Sequence, residues 1–203
     1  MTASVHLATD RSDFRTVMVA GTKVGAITGA AVIVYLLASR FLPAGPPRRT
    51  VEALIVLATG CAVSFLPARW TAARTADGIA GAAAAGFWGT VVFMAIDIVL
   101  LRPFKAYPWT WDAVGGGSSW WYLPPWWMLG TFTAWMGAIL TASRAARGGA
   151  GLVQVASPVV VGAVVLAVIA RVVDVGFSLP TATGAAFVVA LTLFALAALA
   201  RKP

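Results

Sequence analysis

Six long apolar runs follow one another along the chain, each bounded by arginine, proline or glycine. They cover about 17–42, 51–66, 78–101, 125–142, 158–177 and 180–200, behind a polar N-terminal tail at 1–16 that carries Asp10, Arg11, Asp13 and Arg15. A bilayer core of about 30 Å is crossed by roughly 20 apolar residues in helical form. Inside it only helices and closed barrels satisfy their own backbone. The pattern predicts an all-α fold: a polytopic integral membrane bundle of about six transmembrane helices, with a Trp-rich extracytoplasmic connection between the third and fourth. The first run is longer than the core of a signal peptide and is read as a retained span.

Local signals set the expected ends. The turn at 43–47, rich in proline and glycine, closes the first run. Thr50 is the expected cap of the second, with Glu52 in its first turn and Pro67 ending it. Asp77 is the expected cap of the third, and Pro103 marks its end. The fourth starts at Pro125, since proline is tolerated at the first helical position. The fifth has two readings. It either begins at Leu152 and kinks at Pro158, or is capped by Ser157 with Pro158 in its first turn; the second is preferred.

Composition agrees with the pattern. Hydrophobic residues make up 60% of the chain and charged residues 11%, against about 25% charged in an ordinary soluble domain. Six helices consume most of the 203 residues and leave no room for a soluble catalytic domain. The net charge of +8 comes from arginines placed singly or in pairs at the ends of runs, where snorkelling and the positive-inside bias account for them. They form no stripe of the kind that binds nucleic acid. The expected partners are the lipid bilayer, other membrane subunits or a second copy of the chain. With both termini inside, nine lysines and arginines fall on the inner segments and six on the outer. This predicts an inner (cell) membrane protein with both termini cytoplasmic.

Cys61 has no partner for an intrachain disulfide, and His6 lies in the tail away from every run. A haem held by two histidines and a conventional zinc site are excluded within this chain. No cofactor and no metal are expected, though bound lipid is compatible with the pattern.

Three features offer chemistry. Small residues recur at four-residue spacing: Gly21, Gly25 and Gly29 in the first run, and Gly78, Ala82 and Gly86 in the third. Such stripes let helices approach closely, within the bundle or against another subunit. Three charges sit inside apolar runs: Asp97 in the third, and Arg171 and Asp174 in the fifth. Charges in a span need partners. They form either an interhelical Asp97–Arg171 bridge that fixes helix order, or an outward-facing pocket in which the two acids flank the arginine. The third feature is aromatic: Trp109, Trp111, Trp120, Trp121, Trp126 and Trp127 crowd one stretch. They suit an interfacial belt, a docking surface or a lid.

No catalytic set is visible. No histidine lies in a run to activate a serine or threonine, and 115–119 (GGGSS) lacks the lysine of a phosphate loop. The leading expectation is a non-catalytic accessory or scaffolding subunit of a larger membrane complex. The runner-up is a small transporter or channel for a solute or lipid, built on the Asp/Arg pocket. The third is a membrane enzyme acting on a lipid or isoprenoid.

Overall fold

Asp13 accepts hydrogen bonds from the Thr16 hydroxyl (2.7 Å) and the Thr16 amide (3.0 Å), a side-chain cap that starts α1 (Phe14–Phe41). Those bonds, the hydroxyl's foremost, hold the Asp13 carboxyl below its ordinary pKa. The computed structural model describes residues 11–103, 123–149 and 151–201. Over them the chain forms α2 (Pro46–Trp70), α3 (Ala76–Ile96), α4 (Leu123–Ala145), α5 (Leu152–Val172) and α6 (Leu179–Ala200). A wide π turn, Asp97–Leu101, continues α3. No strand occurs among the described residues.

The helix ends depart from expectation where tertiary packing overrides a local signal. α2 begins at Pro46 and Pro47, prolines being tolerated in a first turn, so Thr50 is not the cap. Its hydroxyl instead donates to the Pro46 carbonyl at 3.0 Å. Pro67 does not end α2. A proline removes one amide donor, and the helix runs on to Trp70 with Pro67 fully buried. α3 is preceded by Thr75 at the cap position, and Asp77 falls in its first turn. α5 follows the disfavoured of its two readings. It starts at Leu152 and carries Pro158 in its interior. The reason is a buried stripe, Val155, Val159, Ala163 and Ala167, whose four-residue spacing continues across the proline. α5 stops at Val172 and not at Phe177, because Asp174 (φ 48°) and Gly176 (φ 78°) turn the chain. Ser178 then caps α6.

The helices alternate in direction, so Phe14, Trp70, Ala76, Ala145, Leu152 and Ala200 share one end, the near end, and Phe41, Pro46, Leu101, Val172 and Leu179 share the far end. α2, α4 and α6 run parallel and touch one another at the centre. α1 and α3 pack together on one side, and α5 covers the other through α6. In the near half, Phe65, Met136, Leu140, Val159, Phe187 and Leu191 form the core, all buried. Glycines bring the outer pair in. A side chain at Gly25 would lie 2.6 Å from the Gly89 carbonyl, and one at Gly86 would lie 2.5 Å from the Gly130 carbonyl. The α1–α3–α4 contacts are therefore backbone to backbone.

This is an all-helical, multi-pass membrane bundle. α1, α2, α3 with its π turn, α5 and α6 are long and apolar enough to cross a bilayer. α4 is less apolar, and its position explains why. Ala134 and Ala138 are fully buried and Thr133 nearly so, between α2, α3 and α6. A helix sheltered by protein needs less hydrocarbon on its surface than one facing lipid.

Candidate binding cavity

The far half of the bundle is not filled. A cavity of about 660 Å³ opens between α1, α2, α3, α4 and α6. Its geometry follows from residue size: Ala31, Gly184 and Ala185 leave space, and Val32, Val56, Phe93, Leu129, Phe187 and Val188 wall it. No charged side chain lines it. Ligand pockets generally span about 300–1,000 Å³, with apolar walls and a few placed polar groups.

Four of those polar groups are threonines, one near the middle of each of four helices: Thr28, Thr59, Thr90 and Thr133. Each hydroxyl donates to a carbonyl one turn back, at 2.9 Å (Val24), 2.7 Å (Ile55), 3.0 Å (Gly86) and 2.9 Å (Leu129). Their donors are spent on their own helices, so they offer the cavity methyl groups and oxygen lone pairs. Thr181 is paired with Ser178 at 2.8 Å. Tyr35 and Trp126 also line the cavity, towards the far ends of α1 and α4. The adjacent Trp127 faces inward too. Its indole N–H points at Met94 Sδ (3.1 Å), and its ring meets Phe87 edge to face at 5.9 Å.

Two ion pairs flank the far end. Glu52 is only 6% exposed. Its Oε1 accepts from the Ser39 hydroxyl at 2.7 Å and lies 3.4 Å from Arg48 Nε. Arg48 Nη1 also donates to the Ser39 carbonyl at 3.2 Å. This ties α1 to the first turns of α2. The second pair is Asp97 with Arg102: Arg102 Nε donates to Asp97 Oδ2 at 3.0 Å, and the Arg102 amide donates to the Asp97 carbonyl at 2.9 Å. Each pairs one carboxylate with one guanidinium, the carboxylate being the more buried partner.

The charges expected to meet do not. Asp97 is buried, but its partner is Arg102, and no ion pair joins Arg171 to Asp97 or to Asp174. Arg171 is exposed and borders a separate groove of about 390 Å³ between α2, α5 and α6. Asp174 is exposed in the turn after α5. The structure thus assembles neither the Asp97–Arg171 bridge nor the Asp/Arg pocket. Gly21, Gly25 and Gly29 pack on α3, Gly86 packs on α4, and Gly78 and Ala82 are buried within the chain. Trp109, Trp111, Trp120 and Trp121 lie outside the described residues. Metal-ligating side chains form no cluster among the described residues. Sequence reading passed over the threonine set, Tyr35 and the Glu52 cluster. The available signal was one threonine near the middle of each of four runs.

The fold defines the class, a multi-pass helical membrane protein with an apolar cavity bordered by five of its helices. Compared with models of protein families, with curated proteins and with solved structures, the chain matches none.

Proposed function

We propose that the protein is a non-catalytic membrane protein that holds a lipophilic molecule inside its bundle, as a lipid carrier or a lipid-binding component. The observation that carries this reading is the cavity: about 660 Å³ within the far half of the bundle, with no charged residue in its walls. An ion or a polar solute would lose its hydration there without replacement, a cost of several kcal/mol. A hydrocarbon loses nothing. The near end is placed at the cytoplasm on the strength of its excess of lysine and arginine.

The test fills the cavity. Ala31→Trp and Ala185→Trp each add a large ring at a position that lines the cavity. Protein purified from its own membranes is expected to release an apolar molecule, close to one per chain, on organic extraction. Each filling variant should release at least tenfold less while staying monodisperse with an unchanged melting temperature. Equal release from wild type and both variants would place the molecule outside the bundle and end the proposal.

A second reading, an accessory subunit of a larger assembly, has one observation in its favour. α5 is held chiefly by α6 and leaves Val161, Val164, Val168 and Val172 between 47% and 80% exposed. A neighbouring helix could cover that row. Extraction in a mild detergent should then yield a complex heavier than the chain, crosslinkable through α5. Recovery of a lone monomer that binds lipid leaves the carrier reading alone.

A further inference from the structure

We infer that the molecule held in the cavity carries a small, uncharged oxygen head, as in a prenyl alcohol, a quinone or a fatty alcohol, and that Tyr35 is the residue that receives that head. The inference rests on the cavity being a lipophile site.

The argument is an accounting of donors. Among the side chains lining the cavity, the mid-bundle threonines donate to their own helices and Thr181 is paired with Ser178. Trp126 has an interaction of its own. Among the described residues Tyr35 Oη has no hydrogen-bond partner. A partly buried phenol normally finds one. At the edge of an apolar space, six residues from the far end of α1, it suits a ligand oxygen at that height.

The surroundings set the charge of that oxygen. Tyr35 and Ser39 are four residues apart on α1 and so share a face. Ser39 holds Glu52, and Arg48 is already committed to both. Tyr35 therefore stands one helical turn from the residue that binds Glu52. Within the trio of Ser39, Arg48 and Glu52 the Arg48 and Glu52 charges offset each other. A phosphate or carboxylate head would meet the Glu52 carboxylate with the nearest arginine already taken. A neutral hydroxyl or carbonyl meets no such cost and gains one hydrogen bond.

The test uses farnesol, farnesyl phosphate and the parent hydrocarbon farnesane, titrated onto the delipidated full chain and counted by native mass spectrometry. Farnesol is expected to bind one per chain, more tightly than either relative. Tyr35→Phe should weaken farnesol by about three- to tenfold, the worth of one hydrogen bond, and leave farnesane unchanged. Ala31→Trp should weaken all three. If none of the three binds the wild type, the cavity reading itself falls. If farnesol and farnesane bind equally and Tyr35→Phe changes nothing, the cavity reading stands and the assignment of the head to Tyr35 is overturned. Tighter binding of farnesyl phosphate than farnesol overturns the neutral head directly, with no dependence on any variant.

Discussion

Replacing Gly137 by leucine is expected to leave no folded bundle. Gly137 brings α4 against the backbone of α2. A Cβ there would overlap the Ser64 carbonyl oxygen and lie 2.6 Å from the Ser64 carbonyl carbon. Neither atom can rotate aside as a side chain would. The two helices would have to separate, and with them the residues that close the near half: Phe65, Ala68, Ala138 and Leu140, all 8% exposed or less. Between helices in lipid this packing is the main attraction, because acyl chains compete equally for apolar surface. Overpacking of an ordinary core costs about 1–3 kcal/mol and more where the backbone must move. Gly137→Ala should therefore cut the yield of monodisperse protein several-fold, and Gly137→Leu should abolish it. Gly151→Ala is the matched control. Its nearest neighbour would be Gln154 at 3.5 Å, an ordinary contact, and it should behave as wild type. Recovery of Gly137→Leu with a wild-type melting temperature would show that α2 and α4 do not meet as described.

The contrast between what was legible and what was not has a physical pattern. The all-helical membrane fold could be read directly, because hydrocarbon imposes a length and a polarity on every lipid-facing helix. α4 was legible too, its run at 125–142 falling within the helix Leu123–Ala145. The four-residue spacing of Gly21, Gly25 and Gly86 marked surfaces of close helix approach, but not the helices they meet, which are α3 for the first two and α4 for the third. Helix starts failed where a buried stripe crossed a proline. At Pro158, the continuing row through Val155 and Val159 outweighed one lost hydrogen bond. The cavity was invisible for a different reason. Glycine and alanine at a helix face mean contact when a neighbour comes close and space when it does not. Gly25 and Gly184 have the same side chain, yet one would strike a carbonyl at 2.6 Å and the other has nothing nearer than 3.4 Å. Only the assembled helices tell these apart. Threonines hid similarly. In sequence they read as tolerated polar residues, and their common depth shows only once the helices are aligned.

Asp97→Leu is expected to destabilise the protein by about 3 kcal/mol, and the double variant Asp97→Leu/Arg102→Met to recover most of that loss. Removing one partner leaves a charge without its ion pair, whereas removing both leaves no charge that needs one. The pair escaped sequence reading because its members stand five apart. In an α-helix residues three and four apart are neighbours, and five apart are not. The π turn Asp97–Leu101 changes that. It places the Arg102 amide on the Asp97 carbonyl and the Arg102 guanidinium on the Asp97 carboxylate, at 2.9 and 3.0 Å. A wide turn of this kind re-aims the residues beyond it, and here it sets Leu101, 6% exposed, into the bundle. Loss of the carboxylate should let the turn tighten and swing Leu101 out of its packing. Asp97→Asn keeps an oxygen for the guanidinium and should cost less, about 1 kcal/mol. The decisive readout is lipophile bound per folded chain, measured beside the melting temperature. Asp97 does not line the cavity, so Asp97→Asn should lower the melting temperature and leave binding by the surviving fraction unchanged. A variant of wild-type stability that no longer binds would instead move Asp97 from holding the fold to holding the ligand, and would return the buried charge to the functional role its place in an apolar run first suggested.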